Sequence, residues 1–200
     1  MSLIALNLTA GSTVGVYLDF EQNPSDIAAE AMRQEAGAAL HSIGFDIAWR
    51  LVSENQGNEA FEHLVVVKLV GKCACERSLP STRNVLVLGS TEVSGGEVLP
   101  YSQVRCDQVR RILPQVEFAA DRQSGDAELG RALGRVLAHE LYHVLLKTTH
   151  HSASGLAKAV QSTDDLRSNE FFFELSAGDR RHGDKKGLAD DGGQPVNRVH

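Results

Sequence analysis

His139, Glu140 and His143 stand in the order H-E-x-x-H within the run Gly134 to Ser152, GRVLAHELYHVLLKTTHHS. In an α-helix, residues four apart lie on one face about 6 Å apart along the axis, so the two imidazoles can converge on one ion. Glu140 sits roughly 100° round the helix from His139, which leaves its carboxylate beside such an ion rather than on it, within reach of a metal-held water. That is the position of a general base. The chain has 8 His and 14 Glu, and chance alone would produce the pattern in about two of a hundred shuffled chains, so the context must carry the assignment. Leu129, Leu133, Val136, Leu137, Leu141, Val144 and Leu145 recur at steps of three and four, which predicts a helix with one buried stripe. Two His and a Glu set amid that stripe would leave ring nitrogens buried at a cost unless something satisfied them, and a metal ion does so.

At these residues the chain resembles the zincin metallopeptidases, zinc enzymes that share H-E-x-x-H on an active-site helix. The resemblance implies that His139 and His143 are Zn2+ ligands, and that Glu140 activates a zinc-bound water and passes its proton to the leaving amine. The metzincin branch continues as H-E-x-x-H-x-x-G-x-x-H, where this chain has Leu146 for the Gly and Thr149 for the third His. His150 and His151 follow directly, and a helix running one turn further before the chain reverses would deliver one of them. The run HELYHVLLKTTHHSASGLA is also similar to uncharacterised bacterial zincin-like proteins that continue as H-E-L-G-H-x-L-L-G-x-x-x-H-S-x-x-G-I-M. That likeness aligns His151, Ser152 and Gly155, and it favours His151 as the third ligand. Lys147 stands where that pattern has Gly, so adopting the left-handed conformation that Gly takes freely would cost roughly 1 kcal/mol; Ala157 stands for the Met. A second branch, the gluzincins, takes its third ligand from a Glu after Asn on a later helix, which makes Glu170 a competing candidate and His150 a further one. The structural alternative for His150 and His151 is a solvated pair at a helix end, where a cationic imidazole suits the dipole.

A length of 200 residues with 42% hydrophobic and 23% charged content suits one domain with a sizeable core. The net charge of -6 and the absence of a basic run argue against a nucleic-acid or anionic-membrane partner. No stretch reaches the 18 or so apolar residues of a membrane span. Met1 to Ala10 has no positively charged start and no apolar run of signal-peptide length, so no signal is expected; export with a leader already removed is the alternative to a cytoplasmic location. Cys73 and Cys75 form C-x-C and Cys106 stands alone, so one disulfide from Cys106 to either leaves an odd thiol. These three lack the paired C-x-x-C spacing of structural zinc sites, which favours a core or disulfide role.

The elements that must position the motif are read from periodicity. Val14 to Phe20 is the first strand, Pro24-Ser25-Asp26 starts a helix that stops at Gly44, and Phe45 to Val52 is the second strand, parallel to the first through a right-handed crossover. His63 to Val70 is dense enough in Val and Leu to be the buried centre of the sheet, with His63 structural rather than a ligand. Asn84 to Val93 changes from apolar to polar at Gly89, which suits an edge strand whose free backbone faces a cleft and can take up a peptide by main-chain hydrogen bonds. After a turn at Ser94-Gly95-Gly96, Val98 to Cys106 leads into a short helix from Asp107 to Leu113, and Tyr101 is read as a surface Tyr in preference to a donor in the cleft. Asp126 and Glu128 are expected at the positive end of the active-site helix. Gly130 and Gly134 are expected to admit close approach of another backbone, taken to be the sheet. Gly155 to Val160 is expected as a short helix, Asp164-Asp165-Leu166 as the start of another, and Phe171 to Leu175 as an aromatic cover for the active-site helix.

The fold expected is therefore α+β and zincin-like: a twisted mixed sheet, a backing helix and the H-E-x-x-H helix packed beneath it. Its domain should span 13–177, between an N-terminal extension, 1–12, and a mobile tail, 178–200. The function that follows is a zinc metallopeptidase acting on a peptide or protein substrate. The alternative is a non-catalytic zinc-binding or degenerate zincin module for protein interaction, its metal closed in by His139, His143, His151 and either His150 or Glu170.

Overall fold

Val14, Val16 and Leu18 alternate along the first strand and are buried on one side, so β1 (Ser12–Gln22) has its core face set by the period of two. The computed structural model describes residues 12–74, 87–113, 122–168, 170 and 172–174. Ser25 caps α1 (Asp26–His41), its hydroxyl accepting from the Ala28 amide at 3.2 Å. After Gly44, at φ 93°, comes β2 (Phe45–Leu51), parallel to β1 as the crossover requires. β3 (His63–Lys72) is the central strand, in the order β2-β1-β3-β5-β4.

β4 (Gly89–Ser94) and β5 (Glu97–Arg105) form an antiparallel hairpin whose two turn residues, Gly95 and Gly96, both have positive φ. Residues 84–86 of the expected edge strand lie outside the described residues. The stretch expected to lead into a helix is itself β5, paired in parallel with β3 from Val66 and Tyr101 to Val70 and Arg105, and α2 (Cys106–Ile112) begins directly after it. Pro100, Ser102 and Gln103 hide this strand in the sequence, because its pairing comes from β3 rather than from its own apolar pattern. Cys73, at the end of β3, is joined by a disulfide to Cys106 at the start of α2, and both are buried. Cys75 lies outside the described residues.

The 25-residue helix α3 (Arg122–Leu146) was expected to bury one stripe, yet from Leu129 to Val144 only Arg131 is exposed. It is enclosed on several sides: by the sheet, by α1, and by the chain that returns after His151. Asp126 and Glu128, expected at the positive end of this helix, sit beyond its first turn, which holds no acidic residue, and Asp126 is buried. Gly130 and Gly134 face α1, not the sheet. A β-carbon at Gly134 would lie 2.7 Å from the Met32 carbonyl oxygen and 2.8 Å from Glu35 Cβ, and one at Gly130 would collide with the Ala28 carbonyl. Gly134→Ala gains about 1 kcal/mol of helix propensity. Overpacking against a backbone that cannot yield typically costs about 1–3 kcal/mol, which dominates. Gly134→Ala should therefore lower the urea midpoint; a raised midpoint would refute the close-contact account.

Arg135, buried on the same helix, ties three elements together: Nε to Glu35 of α1 at 2.7 Å, and its terminal nitrogens to the carbonyls of Asp165 and Ser168 at 2.6 and 2.5 Å. Asp165 lies within α4 (Thr163–Arg167) and Ser168 caps its end, and the helix begins with a capping box between Ser162 and Asp165. The expected helix from Gly155 to Val160 does not form. Gly155 is left-handed at φ 70°, Ser152 bridges to Lys158 and Gly155 to Phe173, so the segment is an irregular strap held in extended contacts. Of the expected aromatic cover, Phe173 stacks on Tyr142 of α3 at 5.4 Å, whereas Phe172 is exposed; Phe171 and Leu175 lie outside the described residues. Among the described residues no helix is long and apolar enough to cross a membrane.

Candidate metal centre

The helix that carries His139, Glu140 and His143 stops one turn later by a specific backbone device. Lys147 is left-handed at φ 51°, its amide bonds to the Val144 carbonyl at 3.4 Å, and the Thr148 amide reaches back to the His143 carbonyl at 3.1 Å. This is a Schellman motif with Lys in place of the usual Gly. It reverses the chain so that His151 returns to the helix it has just left.

Three histidines are thereby brought together. His139 and His143 meet edge to face with ring centroids 4.7 Å apart, and His151 lies 5.3 Å from the His139 ring and 4.8 Å from the His143 ring. One nitrogen from each lies within 4.8 Å of the others, an arrangement that could hold a metal ion. His150 and Glu170 are exposed and contribute no atom to this group. His63, beside Glu62 at the start of β3, and Tyr101, half exposed on β5, do not line the cleft around it.

The hydrogen bonds decide which nitrogens face inward. His139 Nδ1 lies 2.6 Å from the Leu156 carbonyl and His143 Nδ1 lies 2.8 Å from the Thr148 carbonyl. A carbonyl only accepts, so both Nδ1 atoms donate, and in the neutral rings each Nε2 carries the lone pair and not the hydrogen. Those two Nε2 atoms are 3.1 Å apart. Facing lone pairs in a buried site repel unless a cation lies between them. A proton is disfavoured, because burial pushes the His139 pKa down to about 4, the Leu156 carbonyl opposing this and the neighbouring His143 and His151 adding to it. Burial lowers His151 as well, with His150 adding to the shift. Neutral imidazoles with Nδ1 anchored on carbonyls are the form in which histidine binds metal, so the donor set fits an ion.

Glu140 is buried beside this group, its pKa pushed up to about 7 by burial and held back by a hydrogen bond from Thr91. Thr91 lies on β4, the edge strand, with its hydroxyl 2.7 Å from Glu140 Oε2 and 3.0 Å from the Ser102 hydroxyl. A β-carbon at Gly89 would lie 2.5 Å from Glu140 Oε1. The sequence pattern does not single out Thr91 or Ser102. The usable signal was Gly89, since Gly inside a strand often marks close approach of another group.

The whole arrangement opens on a cleft of about 370 Å³. β4 forms one rim, the strap from Lys158 to Gln161 the other, and Val136 of α3, one turn before Glu140, lies in its wall.

No family model matches the chain, and no curated protein matches it in sequence. Its structure matches the crystal structure of archaemetzincin from Methanopyrus kandleri at a TM-score of 0.50, over 89% of this chain and 97% of that one. The fold is zincin-like. Sequence identity to the archaemetzincin is 13%, so the likeness lies in the arrangement of elements. The zincin-like fold accounts for a mixed five-stranded sheet lying over the long helix of His139 and His143. Among the described residues, His139, His143 and His151 form the group that could hold a metal ion.

Proposed function

We propose that the protein is a zinc metallopeptidase, with His139, His143 and His151 as the ligands and Glu140 as general base. The observation that carries this reading is the opposition of the two Nε2 atoms, 3.1 Å apart with both Nδ1 atoms committed to carbonyls, beside a carboxyl whose pKa is about 7. Three histidines form an open set of ligands, as catalytic zinc sites have, whereas a structural site closes with four. Zinc, when bound, supplies Lewis acidity toward a peptide carbonyl and toward water.

The chain's own residues supply the rest. Glu140 has the basicity to accept a proton at neutral pH and, once protonated in its buried site, to return it to the leaving amine. The edge of β4 gives an extended peptide a row of main-chain partners, which selects for backbone in preference to any one side chain. Val93 and Val98 beside the cleft and Val136 in its wall displace water from the place where charge develops. The likeness to an archaemetzincin supports this reading through the fold.

The test combines two measurements on protein purified without chelator. Elemental analysis should find about one zinc per chain, and the zinc-loaded protein should cleave a peptide library in a manner abolished by chelator. No zinc after refilling would end the metal assignment. Stoichiometric zinc with neither cleavage nor hydroxamate binding would transfer the site to a non-catalytic interaction module.

A further inference from the structure

We infer that Thr91 is a positioning residue for Glu140, fixing one carboxylate oxygen so that the other faces the substrate strand, with Gly89 leaving the space that oxygen occupies. The inference rests on the peptidase reading for its consequence, but its geometry stands independently. Three elements meet at one hydroxyl: Thr91 of β4 contacts Glu140 Oε2 at 2.7 Å and the Glu140 carbonyl of α3 at 3.1 Å, and it lies 3.0 Å from Ser102 of β5.

Counting hydrogens gives the chain a direction. An ionised carboxylate only accepts, so the single Thr91 hydrogen goes to Glu140, and Thr91 must then accept from Ser102, its cross-strand partner. Oε2 is thereby occupied, and Oε1 is left as the free oxygen of the base. Oε1 lies against the backbone of β4 at Gly89, where any side chain would displace it. The register of β4 shifts between Thr91 and Val93, and such a bulge re-aims the side chains next to it. The strand that would hold a peptide therefore also holds the base, so substrate register and base position are set by the same backbone.

A misplacement of about 1 Å in a reacting group can lower turnover by about 100-fold. Thr91→Val keeps the shape and removes the hydroxyl, and it should lower kcat roughly 10- to 100-fold with KM and zinc content little changed. Thr91→Ser should restore kcat to within a few-fold, and Ser102→Ala, which spares the contact to Glu140, should cost less than Thr91→Val. Crystal structures of zinc-loaded Thr91→Val and the parent provide the second readout, with the Glu140 carboxylate displaced or rotated in the variant. A Thr91→Val enzyme with unchanged kcat, or one whose loss appears only in KM or is not rescued by Ser, would overturn the inference. Should the parent cleave no peptide, the peptidase reading fails, and the structures then judge the positioning: a Glu140 carboxylate unmoved in Thr91→Val sinks it.

Discussion

Glu140→Gln should abolish peptide hydrolysis while leaving zinc in place. Glutamine keeps the size of the side chain and can still accept the Thr91 hydroxyl hydrogen, but it cannot take up a proton. A positioned general base typically contributes about 100- to 10,000-fold, and kcat should fall by an amount in that range. The group to be lost is well placed for that task, because burial has raised its pKa to about 7 against the hydrogen bond that stabilises its charged form. Misfolding is not expected to confuse the result. A buried carboxyl is costly to charge, and the neutral amide removes that cost, so the urea midpoint should hold or rise. Turnover within tenfold of the parent, with zinc retained, would remove Glu140 from the mechanism.

The second large effect is on metal affinity. His151→Ala should weaken zinc binding by more than 100-fold in competition with a chelating dye, since removal of a partner that merely orients a ligand already costs about 10- to 100-fold. Glu170→Ala should leave affinity unchanged. The reasoning is geometric: His151 lies within ring contact of both His139 and His143, whereas Glu170 is exposed and gives no atom to the group. Retained affinity in His151→Ala together with its loss in Glu170→Ala would exchange the two roles.

These expectations draw on two different levels of the chain. The i, i+4 spacing of His139 and His143 is a local property of a helix, and the helix formed where its apolar periodicity predicts. The order β1, α1, β2 and the central place of β3 were equally legible, because β-branched density and the handedness of crossovers are set within short stretches of chain. The left-handed residue at Lys147, weighed from a resemblance that has Gly there, is present at φ 51°.

The misreadings share a cause. Residues 155–160 have a composition compatible with a helix, but their carbonyls and amides are used elsewhere: Leu156 O accepts from His139 and from Gln161, and the Leu156 amide bonds to the Phe172 carbonyl. Local propensity is weak, about 1 kcal/mol per residue or less, and such contacts readily override it. Gly130 and Gly134 marked a close approach correctly, but the partner, taken to be the sheet, is α1. Arg135, one turn before His139, is buried on Glu35, 100 positions away, a contact that nothing in the local sequence marks.

By itself, then, the sequence determined the helix that presents two histidines and a glutamate and the parallel pairing of β1 with β2, while a resemblance favoured His151 over His150 and Glu170. Only the tertiary structure decided that one Nδ1 is anchored on the Thr148 carbonyl in the turn after the helix and the other on the Leu156 carbonyl of the returning strap, that the Nε2 atoms oppose one another, and that an edge strand clasps the Glu140 carboxyl. The physical reason is the range of the interactions. Periodicity and spacing act within a few residues and leave their mark on the sequence. A hydroxyl 49 positions from the carboxyl it binds leaves no mark until the sheet folds over the helix.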